Sequence, residues 1–479
     1  MGAQPNFSEE TLHQLWLQRR FSNAALKTTD GQSLEVVTPG EYNRDGGPDF
    51  RRATLRFAGK LCQGDVELHL DANDWYNHHH HLDPKYNDVI LHLAIETPEA
   101  PEKIVKENGL AIPQILFPDS VLEIDPKASV SSTLFICPLS QTSPEKIHAT
   151  VRHVGLQRLI AKAGAFAEQV GHSSWDQAVY RGLAEAMGYD KNQEPFRRLA
   201  ELLPIELLFS ELRASRDLPP ALLLDALLFG AAGFYSSEKI PDAEIIVFLE
   251  PRLPLWETLR HTLQIRPLRR EAWQFFRLRP ANFPTRRLAG FAALLLKFYR
   301  DGLLEHLVNL FLSSAKVSLK MRTKTIVSEL LNYFVCPADE FWRTHCDFTH
   351  ATAASESDDV DAAPDRPLIA QTNYGDLIGR DRALDILVNI VLPALWHYGR
   401  QAGDAHLQNL VQEVYGGFPK LQENQITRAM RQQLSPQFPV SRTVATSALT
   451  QQGLIHLQKL YCRPLRCEEC LGLVFDVEK

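Results

Sequence analysis

The 479-residue sequence has no apolar run long enough to cross a membrane. The longest candidate, AGFAALLLKF at 289–298, has about half of the ~20 apolar residues that a transmembrane helix needs. The first residues also lack the basic region and apolar stretch that mark a secretory signal. These absences exclude a membrane-spanning helix and predict a cytoplasmic location.

Cysteine is scarce, and positive charge is not in excess. Seven cysteines in a chain of this length exclude a small disulfide-stabilised fold, and we expect them to stay reduced in the cytoplasm. The net charge of −7 argues against a protein that coats nucleic acid without selectivity. Basic residues are nevertheless concentrated between Arg252 and Arg300, where eleven Arg or Lys accompany two acidic residues. This stretch indicates either a phosphate-binding face or solvated helix surfaces.

The composition is that of a globular protein, with 44% hydrophobic and 23% charged residues. A chain of this length is expected to divide into two or three domains. We predict an α+β protein with a mixed N-terminal domain at 1–140, a large all-α domain at 141–460 and a short cysteine-rich tail at 461–479. An acidic stretch at 354–367, rich in Ala, Asp and Pro, predicts an exposed loop.

The N-terminal domain has a distinctive order of elements. Apolar spacing behind a capping serine indicates a helix, and two alternating runs joined by a glycine-containing turn indicate a hairpin. The predicted elements are a helix at 8–21, strands at 34–39, 53–57 and 61–70, a partly helical connection at 72–87 and a buried strand at 88–96.

The strand at 61–70 carries acidic and imidazole side chains on one face. Because side chains alternate along a strand, Glu67 and His69 project away from the aliphatic residues between them. If the turn centres on Gly59, pairing sets Asp49 across from His69, about 5 Å away. Two converging carboxylates suit Mg²⁺ or Mn²⁺, and a water on such an ion can attack a phosphodiester. Alternatively, Asp49 caps a turn and Glu67 lies on a solvated strand face.

At these positions the sequence resembles the PD-(D/E)XK nuclease core. The resemblance rests on the PD of PDF, on the E-x-H beyond it and on the element order αβββαβ. It implies a restriction-endonuclease-like fold in which Asp49 and Glu67 bind the ion and His69 stands where the family usually has lysine. A neutral imidazole can act as a base or ligand, but it lacks a fixed positive charge near pH 7. The family's first helix often contributes a glutamate, which implies Glu10, with Glu9 as the alternative.

Four consecutive histidines follow the third predicted strand. His78 and His80, together with Asp74, Asp83 and His92, are candidates for a second metal site or for the lining of a substrate groove. Alternatively, the run is a polar surface turn and His92 is a hydrogen-bonded core histidine.

Several segments together resemble an uncharacterised bacterial family that is catalogued as a domain of unknown function. They are PGEYNRDGGPDF, GDVELHL, DWYNHHHHLDPKYNDVILHL, RLRPANFPTRRLAGFAALL and YCRPLRCEEC. The likeness runs almost the full length of the chain, and it implies no established activity.

The segment RLRPANFPTRR contains two prolines that prevent a continuous helix and leave polar side chains around a bend. Arginine forks bind phosphates through two hydrogen bonds, so the bend is a candidate nucleic-acid contact. The residues concerned are Arg279, Asn282, Arg286 and Arg287. Alternatively, the bend is a structural corner.

Three cysteines within nine residues indicate a metal site, because three reduced thiols at this spacing rarely occur by chance. They are Cys462, Cys467 and Cys470. A zinc ion or a [4Fe–4S] cluster needs a fourth ligand, for which Cys137 is the first candidate and Cys62, Cys336, Cys346 and the histidines are alternatives. One upstream cysteine and a downstream trio resemble iron–sulfur-stapled nucleases of the RecB type, which implies that the metal staples the chain. Alternatively, the trio are reduced structural thiols.

These observations predict a Mg²⁺- or Mn²⁺-dependent nuclease that acts on DNA or RNA, with nucleic acid as its partner and no membrane partner. One alternative is a nuclease-fold protein that has lost catalysis and serves as a nucleic-acid-binding or protein-interaction scaffold. Another is a hydrolase that uses the histidine cluster on a different class of substrate.

Overall fold

The structure is a computed structural model of the chain. The described residues are 9–17, 26–43, 46–95, 100–101, 103–117, 137–235, 243–276, 278–348, 374–434, 445–462 and 466–476. The side chain of Glu10 and the predicted acidic loop at 354–367 lie outside the described residues.

The chain divides into two compact units. The first unit comprises Met1–Gln141 and Lys459–Cys470, and the second, helical unit comprises Thr142–Gln458 and Leu471–Lys479. The division at Gln141 falls next to the predicted boundary at 140. Part of the predicted cysteine tail, however, groups with the first unit instead of standing apart.

The first unit is built on a seven-stranded sheet, beside which lies a two-stranded one. Its described strands are β1 (Leu26–Lys27), β2 (Ser33–Thr38), β3 (Glu41–Tyr42), β4 (Phe50–Phe57), β5 (Lys60–Asp71), β6 (Val89–Ile95), β7 (Ile104–Val105), β8 (Ala111–Ile112) and β9 (Gln114–Phe117). In the large sheet the order is β1-β2-β4-β5-β6-β9, with β3 paired to β4. Strands β5, β6 and β9 run parallel, whereas the other pairs are antiparallel.

Strands β4 and β5 form the predicted hairpin. The turn is made by Ala58 and Gly59, which have φ of 44° and 87°. Positive φ at both turn residues matches the twist of a two-residue hairpin. The pairing begins directly at Phe57 and Lys60.

A β-bulge in β4 then changes the register of the hairpin. Beyond the bulge Phe50 pairs with Val66, which sets Asp49 opposite Glu67. The predicted pairing of Asp49 with His69 is therefore wrong: the turn alone would set Asp49 opposite Leu68, and the bulge moves it one residue further, to Glu67. A bulge adds a residue to one strand only, and alternation of side chains does not reveal where this happens.

The two faces of β5 differ as predicted. Val66 and Leu68 pack with Leu12 and Trp16 of helix α1 (Glu9–Leu17) in the core of the first unit. Glu67, on the opposite face, is also buried, with 5% of its surface exposed. The alternative of a solvated strand face for Glu67 is therefore wrong.

The connection between β5 and β6 folds back over the sheet. It contains the short helix α2 (Asp74–Asn77) and 3₁₀ turns at His80–Leu82 and Pro84–Tyr86. Trp75 is fully buried, and its indole Nε1 donates a hydrogen bond to the carbonyl oxygen of Val105 (3.0 Å). This burial holds the four-histidine run close to Glu67 and His69.

The second unit is helical, as predicted, and has a single large apolar core. Its described helices are α3 (Pro144–Val170), α4 (Trp175–Met187), α5 (Gln193–Leu202), α6 (Ile205–Ala214), α7 (Pro220–Ala231), α8 (Ala243–Leu249), α9 (Arg252–Thr262), α10 (Pro284–Leu295), α11 (Leu304–Ser314), α12 (Leu319–Phe334), α13 (Glu340–Thr344), α14 (Arg380–Ile386), α15 (Leu392–Gln401), α16 (Ala405–Gly417), α17 (Gln425–Leu434) and α18 (Ala448–Leu457). Helix α19 (Cys467–Asp476) begins in the segment that groups with the first unit. An N-terminal sheet followed by a large helical region confirms the α+β class, and none of the described helices has the length and apolar character needed to cross a membrane.

Candidate metal centre

Asp49 and Glu67 are tied together across the hairpin. Glu67 Oε2 accepts a hydrogen bond from the backbone N–H of Asp49 (2.9 Å). In return, Asp49 Oδ2 accepts one from the backbone N–H of Leu68 (3.0 Å). The bulge in β4 makes this exchange possible because it sets Asp49 opposite Glu67. The two predicted carboxylates are therefore neighbours, fixed by main-chain contacts.

Helix α1 contributes two more side chains to the carboxylate pair. His13 Nε2 lies 3.1 Å from Asp49 Oδ2. Burial lowers the pKa of His13, but the contact with Asp49 and the charges of Asp49 and Glu9 outweigh it, so the net shift is upward. The pKa of Glu9 is raised by burial and then by Asp49. Glu9, the predicted alternative to Glu10, thus lies close enough to Asp49 for the two charges to interact. The sequence analysis missed His13, although its i, i+4 spacing from Glu9 on one helix face was a usable signal.

The histidine run joins the same cluster. The ligand atoms of His69, His78 and His80 all lie within 4.8 Å of one another. Glu67 Oε1 lies 3.3 Å from His80 Nε2 and 3.5 Å from His69 Nε2. The sequence analysis placed His78 and His80 in a separate second site, whereas the structure brings them to Glu67. The residues of the two predicted sites therefore form one cluster.

Aromatic packing orients the imidazoles. The His80 ring stacks on Tyr86 with centroids 3.9 Å apart, and it lies parallel to His69 on its other side. His69 Nδ1 is 2.9 Å from Nε2 of the fully buried His92, so the two rings share a hydrogen bond. His69 therefore turns its Nε2 towards Glu67. A hydrogen bond to the far ring nitrogen is what usually orients a histidine that binds a metal, and here His92 makes that bond.

The electrostatics of the cluster favour neutral imidazoles beside a carboxylate. Burial, reinforced by His92 and His80, lowers the pKa of His69 to about 2, and burial also lowers the pKa of His80. Burial raises the pKa of Glu67 well above its ordinary value, and Asp49 adds to that rise. Neutral imidazoles are ready to coordinate a metal without losing a proton. A cation at the centre would also offset the negative charge of the buried Glu67 and the partly buried Asp49.

The donor set fits a transition metal better than Mg²⁺. Imidazole nitrogens suit Zn²⁺, Mn²⁺ or Fe²⁺, whereas Mg²⁺ prefers oxygen ligands. Donors that bind one ion at about 2.1 Å lie roughly 3–4 Å apart. The separations around Glu67 Oε1 are 3.3 and 3.5 Å, and the three histidine ligand atoms are within 4.8 Å.

The burial of His92 leads to a pH-dependent prediction. Burial, with His80 as a second cause, lowers the pKa of His92 to about 3. The unfolded chain, with an ordinary pKa near 6.5, binds a proton there at a pH where the folded chain does not. In chelator-treated protein, wild type should therefore lose up to about 1.4 kcal/mol of stability per pH unit more than His92→Gln as pH falls from about 6.5 towards 3. Hydrogen exchange of β5 and β6 amides measures this difference, and pH curves that stay parallel would contradict it.

The four predicted cysteine ligands are gathered in the first unit. Burial is the first cause that raises the pKa of Cys462 to about 12, and Cys137, Cys470 and Cys467 contribute in that order. Burial and then Cys137 also raise the pKa of Cys470 to about 12 and the pKa of Cys467. Cys137 is thus the common neighbour of the downstream trio.

The predicted phosphate-binding arginines have other contacts. Arg286 is 1% exposed, and its Nη1 donates to the carbonyl oxygen of Trp342 (2.8 Å) while its Nη2 donates to that of Gly375. Arg287 is also buried and donates to the carbonyl oxygen of Leu377 (3.0 Å) and to Asn282 Oδ1. These backbone and side-chain acceptors already occupy the terminal nitrogens of both guanidinium groups.

These contacts support the structural alternative for this bend, and phosphate binding at Arg286, Arg287 and Asn282 stays a prediction. Arg286, Arg287 and Asn282 hold the bend in place from within the helical unit, as in the structural alternative. Arg279 is exposed and stays available for a ligand.

Fold and site together define an α+β protein with a partly buried carboxylate–histidine cluster on a mixed sheet. The chain belongs to the family described as protein of unknown function (DUF2851), whose model matches residues 9–364, more than half of the chain. Membership of an uncharacterised family was predicted and is confirmed. The predicted likeness reached the terminal cysteines, but the match ends before them. No curated protein and no solved structure matches the chain.

Proposed function

We propose that this protein is a metal-dependent phosphodiesterase that hydrolyses DNA or RNA at the cluster of Asp49, Glu67, His69, His78 and His80. One observation carries the proposal. Glu67 Oε1 lies within 3.5 Å of the Nε2 atoms of both His69 and His80. A buried carboxylate between neutral imidazoles destabilises the fold, because its charge is not paired with a positive one. The same side chains are well suited to binding a metal ion.

The residues of the cluster would have different roles in the reaction. Glu67 and the imidazoles would hold the ion, and Asp49, braced by His13, would hold or orient a water at its edge. A bound divalent ion supplies a Lewis acid and lowers the pKa of a water molecule so that it can attack a phosphodiester. His92 would keep His69 in the orientation that points Nε2 to the centre.

The nuclease assignment draws support from the arrangement of the first unit. The order helix, three long strands, helical connection and strand, on which the PD-(D/E)XK resemblance rests, is present, with short strands added. Asp49 and Glu67 occupy the two carboxylate positions of that resemblance. His69 departs from it, because a buried neutral imidazole does not supply the positive charge of a lysine. In this proposal the ion itself supplies that charge.

Nucleic acid is the proposed partner, and exposed arginines of the helical unit are its proposed contacts. Of the basic stretch at 252–300, Arg266, Arg269, Arg279 and Arg300 are exposed, whereas Arg286 and Arg287 are buried. Exposed arginines can bind backbone phosphates and would make the affinity salt-dependent.

The alternative is a binding protein that has lost catalysis. The observation that favours it is the same neutral His69, whose pKa burial lowers to about 2. Such a protein would retain affinity for nucleic acid and would not cleave it.

A cleavage assay separates the two functions. Chelator-treated protein is reconstituted with Mn²⁺, Zn²⁺ or Mg²⁺ and incubated with single- and double-stranded DNA and RNA. The proposal predicts cleavage of at least one substrate, faster with Mn²⁺ or Zn²⁺ than with Mg²⁺ and absent with chelator. Binding without cleavage under every condition would favour the alternative, and neither binding nor cleavage would overturn both.

A further inference from the structure

We propose that Cys137, Cys462, Cys467 and Cys470 form a thiolate-bound metal centre that fastens residues 459–470 to the first unit. This inference does not depend on the proposed phosphodiesterase activity. It concerns a second site, with sulfur donors only, on the same compact unit.

The fold brings the four thiols together from distant parts of the chain. Residues Lys459–Cys470 group with Met1–Gln141. Cys137 is buried and precedes the 3₁₀ turn Pro138–Gln141, where the backbone N–H and the hydroxyl of Ser140 donate to its carbonyl oxygen at 2.9 and 2.7 Å. These bonds fix the backbone from which the Cys137 thiol projects.

On the C-terminal side, local structure presents the other three thiols. Cys462 ends a π-helical turn that begins at Gln458, and Cys467 begins α19. Cys467 and Cys470 are three residues apart in that helix, so they lie on one face. The backbone N–H of Cys470 donates to the carbonyl oxygen of Arg466 (3.0 Å), which joins the first turn of α19 to the residue before it.

The donor chemistry points to a soft metal centre. All seven cysteines are free thiols, so a disulfide does not account for the cluster. Besides burial, the charge of Cys137 raises the pKa of each of the three downstream thiols. The neighbours that raise these pKa values do not include Cys62, Cys336 or Cys346. Four thiolates without oxygen or nitrogen donors suit zinc or an iron–sulfur cluster.

A zinc ion and an iron–sulfur cluster require different spacings of the four sulfur atoms. Among these four described cysteines, no three sulfur atoms lie within 4.8 Å of one another. Tetrahedral zinc, with Zn–S of about 2.3 Å, would bring all four to roughly 3.8 Å. In a [4Fe–4S] cluster the irons lie between the thiolates, which are held farther apart. Iron with sulfide and a zinc ion are the two sources of the same thiolate chemistry, and metal analysis distinguishes them.

The test uses the full chain purified without oxygen. Its metal content, its acid-labile sulfide and its absorbance at about 400 nm are measured. Wild type should carry either iron with sulfide and that absorbance, or colourless stoichiometric zinc. Cys137→Ser and Cys470→Ser should each lower metal occupancy at least about tenfold. Cys62→Ser, a free thiol on β5 of the same unit, is the matched control and should keep full occupancy.

A second measurement keeps the proposal testable if a variant folds poorly. Wild-type protein is treated with iodoacetamide before and after metal removal, and the labelled cysteines are mapped by mass spectrometry. Cys137, Cys462, Cys467 and Cys470 should be protected together and released together. Metal-free wild type, or full metal occupancy in folded Cys137→Ser, would overturn the proposal.

Discussion

Glu67→Gln should reduce metal-dependent cleavage on the order of 10³-fold. The glutamine side chain has the same shape, and its carbonyl oxygen can still accept the backbone N–H of Asp49, which Glu67 Oε2 accepts at 2.9 Å. What the substitution removes is the negative charge between His69 and His80. Because the structural contact survives, loss of activity would report loss of the ion and not loss of the fold.

The same variant should be at least as stable as wild type when both are free of metal. Burial and Asp49 raise the pKa of Glu67 well above its ordinary value. At pH 7 the unfolded chain carries this carboxylate ionised at no cost, whereas the folded chain must either bury the charge or bind a proton. Glutamine removes that penalty, so the melting temperature of the metal-free variant should rise.

Glu35→Gln is the matched control. Glu35 lies on β2 of the same sheet and is exposed, with Oε2 2.6 Å from Arg56 Nη1. Its replacement should leave cleavage and metal content unchanged. A Glu67→Gln protein that cleaves at the wild-type rate would remove Glu67 from the reaction.

Arg286→Met should destabilise the helical unit by about 3 kcal/mol. Methionine fills much of the same volume but donates no hydrogen bonds. The carbonyl oxygen of Trp342 would lose the donor from Arg286 in a buried place, and the carbonyl oxygen of the exposed Gly375 would lose its donor as well. Each buried acceptor left without a donor costs roughly 1–3 kcal/mol.

The control for this substitution is Arg279→Met, nearby in the sequence and exposed. It should change the free energy of unfolding by less than about 0.5 kcal/mol. Urea unfolding followed by circular dichroism at a helix-sensitive wavelength measures both variants. If Arg286→Met kept its stability and lost affinity for nucleic acid, the prediction of a phosphate contact would be supported.

Much of the site could be predicted because it depends on alternation along one strand. Side chains of β5 alternate between an aliphatic face and a polar one, which fixes Glu67 and His69 on the same side. The register could not be predicted, because the bulge near Arg52, whose φ is 57°, depends on contacts outside the hairpin. That bulge decides that Asp49 meets Glu67.

The sequence alone could not show that the residues of the two predicted metal sites lie together, because this depends on the tertiary fold. His78 and His80 lie in a connection without regular periodicity, so its path is set by the burial of Trp75 and Tyr86. Their aromatic character signals burial, but not against which face of the sheet. A run of histidines therefore suggests ligands without identifying their carboxylate.

The burial of Arg286 and Arg287 in the bend could not be predicted from the sequence. Sequence reasoning treats arginine as a surface residue, since burying a guanidinium is costly unless its donors find acceptors. The acceptors of Arg286 and Arg287 are backbone carbonyls at 342, 375 and 377, far along the chain. Helix breaks at proline, by contrast, are local: α5 ends at Leu202 and α6 starts at Ile205, around Pro204.

The central claim is that Glu67 and the histidines form one metal centre, and anomalous diffraction from crystals soaked in Mn²⁺ tests it most directly. A single peak is expected within about 2.3 Å of Glu67 Oε1 and of imidazole nitrogens of His69 and His80, with His78 completing the set. Glu67→Gln crystals should lack the peak. A peak bound by Asp49 and Glu67 away from the imidazoles, or no peak in this unit, would contradict the claim.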